Sequence, residues 1–209
     1  MDAPSGDQSA LPCSAKALCR QLQDVDWPEG GWRQPEGAKV CAAVLVALIA
    51  DGEGDSVLLT RRSGHLRDHP GQVCFPGGCV DPADRSCEET ALREAYEEVG
   101  LSPEQVQILG RLGRYHTGTG YLIDPVVALV HHVQTVWRPA PDEVDEVFFL
   151  PLPLLLDGGG REEVIKEFHG RRMRFPALNY RGRVIWGATA GILDQLAELF
   201  RKAGVSRLR

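Results

Sequence analysis

The 209-residue sequence predicts an α+β fold, a mixed β-sheet covered by helices. Strand-like segments outnumber helical ones. Few of them alternate in β-α-β order. Within residues 37–209, two segments combine helical length with an amphipathic period, about Cys87–Val99 and Ala188–Lys202.

Residues 1–36 read as an irregular arm with an acidic, Pro/Ser-rich start. It carries a short helix at about Ser14–Gln23 and then the Gly/Pro-rich stretch WPEGGWRQPEG. The domain itself, residues 37–209, begins with Lys39–Ala50, apolar on both faces as a central strand requires. After the turn DGEGD comes a second strand, Ser56–Arg62, and then a short one, Gln72–Phe75, ending at Pro76-Gly77-Gly78. A long loop leads to the helix Cys87–Val99, which stops at Gly100, a residue suited to a left-handed cap. Val106–Arg114 and Leu122–Val133 read as strands joined by the turn HTGTG. Pro139–Asp145 is an acidic loop and Leu152–Leu156 a short helix. Glu163–His169, Arg172–Leu178 and Arg183–Trp186 form a late antiparallel set. The last helix, Ala188–Lys202, puts Ile192, Leu193, Leu196, Leu199 and Phe200 on one face.

Composition narrows the function. Hydrophobic residues are 43% and charged residues 25%, which excludes a disordered or membrane-embedded chain. The net charge of -6 argues against nucleic acid as partner. The apolar run Val40–Ala50 is shorter than the ~20 residues of a membrane helix. The start of the chain lacks the apolar stretch of a signal peptide. The six cysteines form no CxxC pair and read as reduced thiols, so a cytoplasmic location is expected. No nucleophile elbow is present.

The sharpest pattern lies in GGCVDPADRSCEETALREAYEEVGL, residues 77–101. With Glu94 at zero on a helix, Glu97 falls near about -60° and Glu98 near about +40°, while Leu92, Ala95, Tyr96 and Val99 fall between about 100° and 200°. The expectation is three carboxylates on one face and apolar residues on the other. Like charges repel, and a hard cation such as Mg²⁺ or Mn²⁺, which takes oxygen ligands, would offset that repulsion. A solvated acidic helix face is the alternative. Arg93 lies four residues before Glu97, within ion-pair reach. Gly77 and Gly78 are expected to turn tightly and free carbonyls for a ligand.

The run from Gly78 through Asp84 to Arg93-Glu94-Ala95-Tyr96-Glu97-Glu98-Val99-Gly100-Leu101 resembles the Nudix box. The second half matches throughout. The first half departs: Asp84 replaces a glutamate, and one extra residue separates it from Arg93. The resemblance implies the Nudix fold, with the box as loop–helix–loop, and metal-dependent hydrolysis of a nucleoside diphosphate linked to another group. It implies Glu94, Glu97 and Glu98 with Gly78 at the metal, and Glu97, Glu98, Arg93 and a later carboxylate, Glu143, in catalysis. Asp145 is a second carboxylate of the same loop.

Upstream, LLTRRSGHLRDHPGQVCFPGG crowds basic residues beside the acidic helix, as a pyrophosphate needs both sets. Leu58, Leu59, Thr60, Arg62, Ser63, Leu66, His69, Gly71, Phe75, Pro76, Gly77 and Gly78 resemble the segment preceding the box in the coenzyme A diphosphatase branch of the family. That resemblance implies coenzyme A or acyl-CoA as the small-molecule substrate, with Arg62, Arg67, His69 and Phe75 as substrate-binding residues. ADP-ribose, NADH or a nucleoside triphosphate is the rival. Arg171, Arg172 and Arg174 are weighed as 3′-phosphate contacts against edge-strand charge. His116 and Tyr121 are weighed as a frame for the base, and Trp186 is read as packing. No membrane or nucleic-acid partner is expected, and a homodimer is the assembly to test.

Overall fold

The computed structural model describes residue 27 and residues 40–50, 55–130, 136–168 and 170–203. The arm's predicted helix Ser14–Gln23 lies outside them, as do residues 131–133 of one predicted strand and His169 of another.

The central strand β1, Val40–Ala50, pairs in parallel with β7, Tyr121–Val130, from Val40↔Tyr121 to Ile49↔Val130. On its other side it pairs antiparallel with β2, Asp55–Arg62, and with β4, Gly77–Cys79. β3, Val73–Cys74, and β8, Val144–Pro151, pair with β2. β5, Val106–Arg111, and β6, Tyr115–His116, pair with β7. A second, antiparallel sheet runs β9, Arg161–Phe168; β10, Arg171–Tyr180; β11, Arg183–Trp186. Three α-helices complete the described fold: α1, Cys87–Val99; α2, Leu152–Leu156; and α3, Gly187–Lys202.

The alternation of β1 divides the core. Ala43, Leu45, Ala47 and Ile49 face α1, joining Ala91, Ala95 and Val99. Val46 and Leu48 face the other way, onto Leu178, Ile185, Ile192, Leu196 and Phe200 of the second sheet and α3. The sheet therefore lies between helices, as an α+β fold with a mixed sheet should. Phe75, expected at the substrate, is 2% exposed and packs in this second cluster. Its ring is turned into the core beside β3.

Gly77 and Gly78 form an edge strand instead of a free turn. A Cβ on Gly77 would stand 2.4 Å from the carbonyl oxygen of Ala43 and 2.6 Å from Cα of Val44, at φ +155. Both obstacles are backbone and cannot rotate away. Gly77→Ala is expected to destabilise the fold by at least about 2 kcal/mol through overpacking of the β1–β4 ladder. Gly64→Ala, where a Cβ meets nothing within 4 Å, should leave urea denaturation nearly unchanged. Equal midpoints for the two variants would contradict the close approach.

Candidate active site

Helix α1 is fixed at both ends. The side chain of Ser86 accepts from the Glu89 amide at its start. At its end Gly100, φ 72, caps in the left-handed conformation. The segment after β7 returns to the same end: Arg138 N–H donates to the Val99 carbonyl and Ala140 N–H to that of Glu98, both at 2.9 Å. These bonds satisfy carbonyls that a helix terminus otherwise leaves open.

The core face of α1 differs from the expected one. Tyr96 is 58% exposed, whereas Glu98 is 3% exposed. Cys87 and Ala91, at about 20° and 60° from Glu94, lie on the Glu98 side of the helix. Being small and buried, they turn that side onto β1 and carry Glu98 inward with it. The glutamates line the seam between helix and sheet rather than a face remote from the core.

β4 forms the other wall of that seam. A Cβ on Gly78 would lie 2.5–2.6 Å from the carboxylate atoms of Glu94, so glycine is what lets this carboxylate approach the strand. The Gly77 amide donates to Oε2 of Glu98 at 3.3 Å. Leu45 N–H bonds to Pro76 O and Val80 N–H to Cys41 O, so by ladder alternation the Gly78 carbonyl faces Ala43 of β1. The expected free carbonyl of Gly78 is thus engaged in the sheet, and the Gly77 amide is the β4 group that bonds a glutamate.

Burial pushes the Glu98 carboxyl up to about 8, with Glu94 and Glu143 adding to the rise and the Gly77 amide and Arg62 opposing it. Burial also raises Glu94, helped by Glu97 and Glu143 and opposed by Arg93. Arg93 is the counterweight. Its Nη1 donates to Glu94 at 2.9 Å and to Glu97 at 3.1 Å, and its Nη2 to the Cys79 carbonyl at 3.2 Å. Its Nε and Nη2 reach the two oxygens of Asp84 at 3.2 and 3.1 Å. Asp84 also accepts from the Asp81 amide and the Thr90 hydroxyl, and these bonds, those from Arg93 foremost, hold its carboxyl down at about 2. Asp84 therefore anchors Arg93 despite the extra residue between them. Thr90 carried no sequence signal, because its partner lies in a loop.

The basic segment runs from β2 alongside these groups. Arg62 is half-buried. Its Nε is buried and makes no hydrogen bond among the described residues, while the guanidinium interacts with the Cys74 thiol and its charge acts on Glu98 and Cys79. Arg67 and His69 are exposed on the loop that follows, His69 at φ 55. Glu143 is exposed and lies within electrostatic reach of Glu94 and Glu98; Asp145 instead accepts from the Gly64 amide at 3.3 Å.

Other candidates separate from this site. Arg174 pairs with Glu163 at 3.4 Å and shares a face of the second sheet with exposed Arg172. Trp186 is on the opposite face, packed against Phe175 and under Lys166. The side chain of Arg171 lies outside the described residues. His116 is exposed on β6 and Tyr121 half-buried on β7.

The donor set fits a hard divalent cation. It is all oxygen, and Glu94 adds to the rise in proton affinity of the more buried Glu98, a conflict that a bound cation would relieve. Among the described residues the carboxylates are not drawn together into a ready three-ligand cluster.

Residues 39–168 match the NUDIX domain family. The chain is 45% identical over 156 residues to "Uncharacterized Nudix hydrolase NudL" of Pectobacterium atrosepticum, covering 75% of this chain and 80% of that one. It is 41% identical over 157 residues to the protein of the same name from Photorhabdus laumondii, covering 75% and 83%. A solved MutT/nudix family protein from Enterococcus faecalis is similar in fold, with a TM-score of 0.51 at 18% identity, covering 91% of this chain and 69% of that one.

The burial of Glu98 makes stability depend on pH. Below its ordinary value of 4.5 the group is protonated whether the chain is folded or unfolded. Between 4.5 and about 8 the unfolded chain ionises it and the folded one does not, so the metal-free protein loses stability as pH rises. The slope is roughly 1.4 kcal/mol per pH unit. Glu98→Gln should raise the melting temperature of metal-free protein more at pH 8 than at pH 5. Added Mg²⁺ at pH 8 should stabilise the parent more than the variant. A Gln effect of the same size at both pH values would count against a buried, protonated Glu98.

Proposed function

This chain belongs to the Nudix hydrolase family, whose members act on phosphorus anhydrides, and from that premise we propose that it cleaves the pyrophosphate of coenzyme A or acyl-CoA to 3′,5′-ADP and (acyl-)4′-phosphopantetheine. The observation that carries this reading is the course of residues 58–78. The segment resembling the coenzyme A diphosphatase branch runs along β2, the cationic loop and β3 into β4, which touches Glu94 and Glu98. Within it, the Nε of Arg62 is buried with no hydrogen bond among the described residues, which leaves it free to donate to an acceptor beside the carboxylates.

Nudix hydrolases generally use divalent metal ions, and here Glu94, Glu97 and Glu98 would hold Mg²⁺ or Mn²⁺, which supplies an activated water and neutralises phosphate charge. Arg93, clamped by Asp84, keeps Glu94 and Glu97 together without turning toward substrate. Arg62 donates to a phosphate oxygen, and Arg67 and His69 meet the non-reacting phosphate from the exposed loop. Glu143, at the edge of the carboxylates, accepts the proton that the attacking water loses. Phe75 takes no direct part. No helix among the described residues is long and apolar enough to cross a membrane, and a cytoplasmic enzyme with a small-molecule substrate is the setting of this reading.

The substrate assignment is tested by a panel of CoA, 3′-dephospho-CoA, ADP-ribose and NADH with Mg²⁺, with products identified by mass. A charge-assisted bond to the 3′-phosphate is worth roughly 1.5–3 kcal/mol, or about 10- to 150-fold in kcat/KM. CoA should therefore exceed dephospho-CoA by at least about tenfold, and ADP-ribose by more. Chelation by EDTA should abolish turnover. Equal turnover of all four would leave a Nudix diphosphatase and remove the coenzyme A assignment.

A further inference from the structure

The cationic loop between β2 and β3 is held at few points. Arg62 N–H bonds to Gln72 O at 2.9 Å and Gly71 N–H to Arg62 O at 3.2 Å, closing its base. Inside, Leu66 N–H reaches Ser63 O and Gln72 N–H reaches His69 O, both at 3.3 Å. Among the described residues its flank meets the rest of the protein through two hydrogen bonds, Ser63 N–H to Glu143 O at 2.8 Å and Gly64 N–H to Asp145 Oδ2 at 3.3 Å. Among the described residues, the side chains of His65, Arg67 and His69 form no hydrogen bond or ion pair. The loop's direction thus depends on its base and on the 143–145 segment.

That segment is built for two tasks. β2 and β8 pair Arg61 with Glu146 but Arg62 with Val144, leaving Asp145 as the extra residue of a β-bulge. Across the bulge two contacts converge on the loop: the Glu143 carbonyl accepts the Ser63 amide, and the Asp145 side chain accepts that of Gly64. The same stretch begins at Arg138 and Ala140, which cap α1. One short segment therefore ties the acidic helix to the cationic loop.

We propose that Asp145 is a positioning residue, latching the loop of residues 63–71 so that Arg67 and His69 are held toward the diphosphate of the substrate. The role given to the loop rests on the pyrophosphate reading above. Asp145 acts through the loop and does not serve as metal ligand or base.

The test compares Asp145→Ala, Asp145→Asn and Asp142→Asn in the full chain, by amide hydrogen exchange of residues 63–71 and by steady-state kinetics with Mg²⁺. Asp145→Ala should speed exchange in the loop and raise KM about fivefold, the scale of one lost hydrogen bond, with kcat and Mg²⁺ activation within about twofold. Asp145→Asn keeps an oxygen acceptor and should recover most of the KM. Asp142→Asn, an exposed neighbour, should change none of these. Unchanged exchange in Asp145→Ala, or faster exchange with unchanged KM, overturns the proposal. So does a loss of kcat above about tenfold with altered Mg²⁺ activation, which would make Asp145 a ligand or base. Should the parent cleave another nucleoside diphosphate derivative instead of CoA, the coenzyme A reading falls, and the latch is read on that substrate and on exchange.

Discussion

A carboxylate is buried at the seam between helix and sheet, and the surrounding structure is arranged around its cost. Glu98 is nearly inaccessible, in a place where charge is disfavoured by loss of solvent and by Glu94 and Glu143. Few groups oppose that: the Gly77 amide and the guanidinium of Arg62. The first of these needs close approach, and close approach needs glycine. With a side chain at Gly77 or Gly78, β4 could not lie against both β1 and the glutamates. The repulsion of like charges is thereby kept in one place, where a divalent cation would relieve it.

Arg93 illustrates how such a site stays ordered while its carboxylates repel. Its guanidinium contacts Asp84, Glu94, Glu97 and the Cys79 carbonyl. Asp84 is in turn held by Thr90 and the Asp81 amide. The box can therefore accept an aspartate and an extra residue. What matters is where the carboxylate arrives, and the loop of residues 80–86 delivers it to the same guanidinium. The other half of the site depends on distant chain. Residues 138–146 close the end of α1 and support the cationic loop, so the acidic and basic sets are joined through one strand entry.

Much of this was legible in the sequence, and for local reasons. Helix α1, its stop at Gly100, the double-sided burial of β1, the short α2 and the face of α3 follow from periodicity and capping, which depend on neighbours along the chain. The family followed from spacing around Arg93 and the glutamates, and residues 39–168 match it. The period of a helix states the angles between its residues but not which side meets the sheet. Glu98 facing inward and Tyr96 facing solvent were decided by packing of Cys87 and Ala91 on β1. Phe75 in the core, Gly77 and Gly78 as a strand, and Asp84 on Arg93 were likewise settled by contacts between segments far apart in sequence, which local patterns do not encode. The bulge at Asp145 belongs with them, because only the register between β2 and β8 reveals which residue is left over.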